Sequence, residues 1–399
     1  MQPEPIPLLN RIQKSALIVG IVGLMAVLAG AFISRQAFFQ AYLLGYLFWV
    51  HLALGCLAGI MLHHLVGGRW SFAIRRFFEA SAMTLPLLAL LFIPLLLGLP
   101  ALYPWINPEE VAHSVLMQHK AVYLNESFFI GRTVFYFVVW IGLAYLLNRW
   151  SFQQDQTGEA GLFEARLKNK MRTLSPPGLI LLVLTSTFAS FDWMMSLEPE
   201  WFSSIYGVLF VAGEALVAIA FAIIMVKLFE NQKPLANWVS VGVYNDLGNF
   251  LLAFVSFWAY IAFSQYLIIW SGNLPEEITW YITRTQGGWQ YIGLALIMFH
   301  FALPFAVLLS RTVKRQAQVL TVIAIFIVFM RLVDLFWLTM PALRPTLSLH
   351  WLDVVVPVAM GGFWVALFAW HLQRKSLVPL HDPGFQEAAV PHQEVAVHE

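Results

Sequence analysis

Long apolar runs alternate along this chain with short connections rich in Pro, Gly and charge. Ten such runs predict helices near 15–33, 41–66, 82–103, 127–147, 177–196, 202–228, 247–270, 288–310, 317–340 and 349–372. Each holds about 20 residues or slightly more, enough to cross a hydrocarbon layer of about 30 Å at about 1.5 Å per residue. The expected fold is all-α, a polytopic membrane protein with ten transmembrane helices. Helices two to five (41–196) and six to nine (202–340) are expected to form two four-helix bundles joined by the bend at 197–201, with the first and last helices peripheral. Residues 1–375 then form the transmembrane unit. The polar tail 376–399, with Pro379, Pro383 and Pro391, is expected to be extended or disordered unless a partner holds it. Arg11 and Lys14, an apolar stretch and Ala29-Gly30-Ala31 also resemble a cleavable signal peptide. This first run is read as a retained helix.

Composition agrees with a membrane setting: of 399 residues 60% are hydrophobic and 11% charged, and mean hydropathy is +0.72. A net charge of +1 gives no sign of nucleic acid as a partner. Lys and Arg are unevenly placed. Apart from Arg35, Lys120, Arg132, Arg284, Arg331 and Arg344, they fall at the N-terminus or after even-numbered helices. The positive-inside rule then puts both termini in the cytoplasm. Two connections are long. The charged stretch 159–173 has helical spacing and is expected at the membrane surface or against a partner, and the loop 104–126 is expected to hold short helices. Cys56 is the only cysteine, which excludes an internal disulfide, covalent c-type haem and a cysteine-ligated cluster on this chain. Nucleotide-binding glycine patterns, HExxH and GxSxG are absent.

Chemistry therefore rests on polar residues inside the apolar runs, where each ionisable group costs about 2.5–3.5 kcal/mol on insertion scales. Glu214, about 12 residues into helix six and so about 18 Å deep, is expected to exist neutral and to be able to carry a proton. The other reading is a neutral acid bonded to a neighbouring helix. His51 and His300 also lie mid-helix; b-type haem ligation and a simple hydrogen-bonding role both stay open. Nearer the outer side are Asp192, Arg132, Arg331, Asp334 and Asp353. Arg331 and Asp334 share a helical face as a structural pair, or the cluster forms the outer exit of a proton path or a polar quinone-headgroup site. Asp353 opens helix ten, where an interfacial anchor is the simplest expectation. Asn249, Ser256, Tyr260 and Ser264 line one face of helix seven, and Thr185 shares a face with Asp192. Such hydroxyls serve as interhelical glue or hold water files. Glu198 and Glu200 read as solvated turn residues.

One stretch carries more specific information. The run SFDWMMSLEPEWFSSIYGVLFVAGE, residues 190–214, resembles the ActF-type subunits of bacterial alternative complex III, within the NrfD/PsrC-like family of membrane subunits. The resemblance extends through the ten-helix layout. It implies a subunit of a quinol:electron-acceptor oxidoreductase in the bacterial cytoplasmic membrane, not catalytic alone and with no cofactor on this chain. Haem c, iron–sulfur clusters and quinol are then expected on partner subunits: an iron–sulfur protein, cytochrome c subunits and a related NrfD-like subunit, with lipids around them. It also implies part of a proton route, for which the candidates are Asp192, Glu214, His300, Arg331 and Asp334, supported by Ser256, Tyr260 and Thr185. A proton-coupled secondary transporter and a structural scaffold remain the alternatives.

Overall fold

A computed structural model describes residues 6–156 and 161–385. All regular structure among them is helical. Ten helices are long and apolar enough to cross a membrane, designated α1 (Pro7–Ile33), α2 (Arg35–Val66), α3 (Arg69–Leu97), α4 (Glu126–Gln156), α5 (Leu162–Leu197), α6 (Tyr206–Phe229), α7 (Val241–Gly272), α8 (Trp289–Leu308), α9 (Ala317–Ala342) and α10 (Leu352–Leu372). The ten expected spans are thus present, and the largest displacements are at the starts of α3 and α5.

The first displacement is at α3. Its helix starts at Arg69, not near residue 82, because the charged stretch RWSFAIRRFFEASA forms a regular helix over Arg69–Ala82. Beyond it, Pro86, Pro94 and Pro100 each sit at the start of a short new run, where the missing N–H is harmless, and the helix is broken into segments. The second is at α5. The stretch expected to lie at the membrane surface instead continues the helix without a break from Leu162 to Trp193, through Pro176 and Pro177. Residues 159–160 of that stretch lie outside the described residues. The loop after α3 holds the expected short helices, Pro108–His113 and Val115–Lys120.

Helices α2 and α6 are the most enclosed and pack on each other. A β-carbon added at Gly55 would overlap the Glu214 carbonyl, so their backbones meet where a side chain would hold them apart. Around this pair, α2 also touches α3, α5 and α10, while α6 touches α5, α7 and α9. Helix α8 packs on α7 and α9. Helix α1 lies mainly on α10, through Gly20 and Gly23 against Gly362 and Ala359, and leaves most of its surface exposed.

The connections gather on two faces. One carries the α2–α3 turn and the chain after α10, and is called the tail face. The distal face carries the connections after α3, α5, α7 and α9, tied together by Ser114 to Glu200 (2.6 Å), Arg284 to Glu198 (2.9 Å) and the Leu347 amide to the Gly287 carbonyl (2.8 Å). Contrary to the extended tail expected from residue 376 onward, residues 376–385 are seated on the tail face. Leu377, Val378 and Asp382 are buried there, and the Phe385 ring lies 4.2 Å from Trp238. The rest of the tail, including Pro391, lies outside the described residues.

Candidate functional site

The central acid on α6 sits where α2, α6 and α9 converge. Glu214 is buried, and a β-carbon on its neighbour Gly213 would fall on the Arg331 guanidinium, so α9 lays its charge directly on the α6 backbone. Arg331 pairs with Asp334 one turn along α9. The same Asp334 oxygen accepts the Trp258 indole N–H at 3.0 Å. The Trp258 ring meets His300 edge-on at 4.4 Å. His300 lies in a π-helical stretch, Leu296–Ala302. Pro304 explains the register: it has no N–H for the His300 carbonyl, and its ring would crowd that carbonyl in a regular helix. His51 on α2 lies against Phe210, with ring centroids 3.9 Å apart and the rings tilted by 49°. Its Nδ1 must donate to the Leu47 carbonyl at 2.6 Å, which fixes the tautomer and leaves Nε2 as the acceptor.

Charge counting gives this cluster its chemistry. Two buried carboxyls lie near one guanidinium: Asp334 is paired with Arg331, and Glu214 is the neighbour of the Gly213 backbone against which Arg331 lies. The group is neutral when one carboxyl holds a proton, and an uncompensated charge at this depth is strongly unfavourable. Several polar atoms in it have no hydrogen-bond partner: Glu214 Oε1, Arg331 Nε and Nη2, His51 Nε2, and both ring nitrogens of His300. The Ser186 hydroxyl on α5 lies beside the Glu214 carboxyl. The arrangement can hold and pass on a proton.

Glu214, His300, Arg331 and Asp334 are therefore brought together, whereas the other candidates lie elsewhere. Asp192 belongs to a separate, closed group. Arg132 donates to both its oxygens at 2.9 and 2.8 Å, and Tyr136 adds a third bond at 2.7 Å. The rings of Tyr123 and Phe128 cover the Arg132 guanidinium at 3.8 and 4.3 Å. Thr185 accepts from the Trp140 indole at 2.8 Å and returns its own proton to the α5 backbone. This is helix-to-helix attachment. On α7, Ser256 donates to the Leu252 carbonyl at 2.8 Å, and Tyr260 is 66% exposed on the outward face. The inward face of α7 carries Trp258 and Gln265 instead. Asp353 anchors the start of α10, paired through both oxygens with Arg344 at 2.7 and 2.9 Å.

Two charged groups escaped the sequence reading. On the distal face Glu198 is not simply solvated. It pairs with Arg284, which is buried, stacks 3.7 Å over Trp280 and donates to the Leu338 carbonyl at 2.9 Å. On the tail face, Arg75, Arg76 and Lys375 interlock with Glu79, Asp155 and Asp382. Three cations meet three anions. Ser151 and His63 complete the set. Ser71 gives its only proton to the Gly68 carbonyl, so the His63 ring donates to Ser71. The i, i+3 and i, i+4 spacing of Arg76 and Arg75 to Glu79 was the available signal. Burial alone would push the Asp382 carboxyl up. The charge and hydrogen bond of Arg75, with the Gly384 amide, outweigh this and hold it below the usual carboxylate range.

Among the described residues no group of three His, Cys, Asp or Glu side chains is arranged to hold a metal ion. Comparison with family models and with curated proteins finds no match for the chain. The fold and the buried polar centre define the class: a multi-pass helical membrane protein.

Proposed function

We propose that this chain is a membrane subunit, with no redox centre of its own, of a quinol:electron-acceptor oxidoreductase of the alternative complex III type, and that its central cluster conducts protons. The observation that carries the proton role is a second buried carboxyl, Glu214, beside the Arg331–Asp334 pair, with Arg331 laid against the neighbouring Gly213. The subunit role rests on the 190–214 stretch. In this reading haem c, iron–sulfur clusters and quinol belong to partner subunits, the tail face is cytoplasmic, and the assembly sits in the bacterial inner membrane. Electron transfer elsewhere in the assembly shifts the charge felt by the cluster, and the proton shared by its acids moves in response. A proton-coupled transporter is the second reading, favoured by one feature, the π-helical interruption of α8 at His300.

Purification from native membranes in mild detergent separates the two. Co-purification with haem- and iron–sulfur-bearing chains is the expected result, and a haem-free, cluster-free particle would overturn the subunit reading. In liposomes the intact complex with Glu214→Gln is expected to keep electron transfer but release fewer protons per electron. An unchanged stoichiometry would remove the proton role and leave a scaffold.

A further inference from the structure

The central cluster has a second charged pair close by, on its distal side. Leu338, whose carbonyl accepts from Arg284, lies four residues beyond Asp334 on α9, one turn or about 6 Å along the axis. Arg284 in turn holds Glu198 through both oxygens, at 2.9 and 3.3 Å. The Glu198 side chain is 23% exposed while Arg284 is enclosed, so this pair connects the interior to the distal surface. Tyr206, the first residue of α6, lies two turns from Glu214 and is buried. The distal pair reaches the same region through Arg284, whose guanidinium lies 3.7 Å over the Trp280 ring. Trp201 and Trp280 wall this region: Trp201 meets Tyr206 at 5.6 Å and stacks on Trp280 at 5.0 Å. Arg284 Nε and Trp337 Nε1, both buried here, have no hydrogen-bond partner. By contrast, the Asp192 side chain is wholly enclosed, and Arg132 and Tyr136 place three hydrogen bonds on its two oxygens.

We infer that protons pass between the central cluster and the distal surface through Tyr206 and the Glu198–Arg284 pair, and not through Asp192. This rests on the proton role proposed above and names its route. In the outward direction, Tyr206 gives its hydroxyl proton to a Glu198 oxygen and takes one in return from the cluster acid, so the tyrosine ends unchanged. Glu198, now neutral, releases the proton to water. Arg284 keeps its charge throughout and holds Glu198 in place through the Leu338 and Trp280 carbonyls. Gaps longer than one hydrogen bond are bridged by water, as is general for such routes.

The test reads the buried proton directly. The purified chain, in liposomes, is moved from H2O to D2O while the infrared carbonyl band of its protonated carboxylic acid is followed. That band is assigned by its loss in Glu214→Gln or Asp334→Asn. Tyr206→Phe and Glu198→Gln are expected to slow its exchange by roughly 10²-fold, the scale of losing a positioned proton-transfer group. Thermal unfolding of the same variants checks that they fold. Exchange at the parental rate in both variants would overturn the route while leaving the protonated acid, and hence the proposed proton role, intact. Slowing by Asp192→Asn instead would also overturn it. If neither Glu214→Gln nor Asp334→Asn removes a band, the shared-proton reading itself fails, and the route with it.

Discussion

Substituting Asp382 by Asn tests how the chain after α10 is held. Asp382 Oδ2 lies 2.5 Å from Arg75 Nη1, and the two side chains are 3% and 0% exposed. Removing one partner of a buried ion pair costs about 3–5 kcal/mol, because the other charge is left uncompensated. Here Arg75 keeps Glu79 at 2.8 Å, so the low end of that range applies. The perturbation need not unfold the membrane helices. It falls on the docking of 376–385, whose other attachments include the buried Leu377 and Val378, the contacts of Phe385 with Trp238 and Phe72, and a His381 bond to the Asp155 carbonyl. A loss of about 3 kcal/mol corresponds to roughly a 10²-fold shift towards the undocked state. Hydrogen exchange reads this directly, through the amides of Asp382, Gly384 and Phe385, all bonded within the docked turn. Their protection in Asp382→Asn is expected to fall by about that factor. Protection unchanged from the parent protein would show that the ion pair contributes nothing net and that apolar contacts alone seat the segment.

The same pair sets a pH dependence. The Asp382 carboxyl is held below its usual value when docked, so its contribution is complete above about pH 4 and is lost as pH falls further; proteolysis of the segment that rose instead between pH 6 and 8 would contradict this. Gly55→Ala should destabilise the protein by about 1–3 kcal/mol, since its β-carbon meets the α6 backbone. Gly142→Ala, with open space around it, should be neutral or slightly stabilising in the same thermal unfolding assay. Asp192→Asn should cost about 3 kcal/mol or more of stability, while Asp192→Leu combined with Arg132→Met should cost less than the single change; a double variant as unstable as the single one would speak against a closed structural pair.

Apolar run length was enough to find ten helices, because a hydrocarbon layer demands about 20 residues whatever the packing. It misplaced α3, because Arg75, Arg76 and Glu79 look like surface charges until Asp382, some three hundred residues later, is seen to close the group. Periodicity correctly put Ser256 and Tyr260 near one face of α7 but could not say that this face looks outward. Lipid-facing Phe257 and Phe263 are as apolar as any core residue, so hydropathy does not mark the inside of a membrane bundle. Glu214, Arg331, Asp334 and His300 were legible for the opposite reason: charge at mid-helix needs company, and each is enclosed by its neighbours. Glu198 was misread because nearness to a turn was taken for exposure.

The glycine contact between α1 and α10 joins helices that are far apart in the chain. During synthesis α1 is made well before its main partner. While the helices between them emerge, it must wait in lipid with Gly20 and Gly23 uncovered, a surface to which small-residue stripes on other helices also fit. Only when Gly362 arrives, with the Asp382 turn close behind it, can α1 settle. The α1–α10 contact thus reports that every helix between the two has been made.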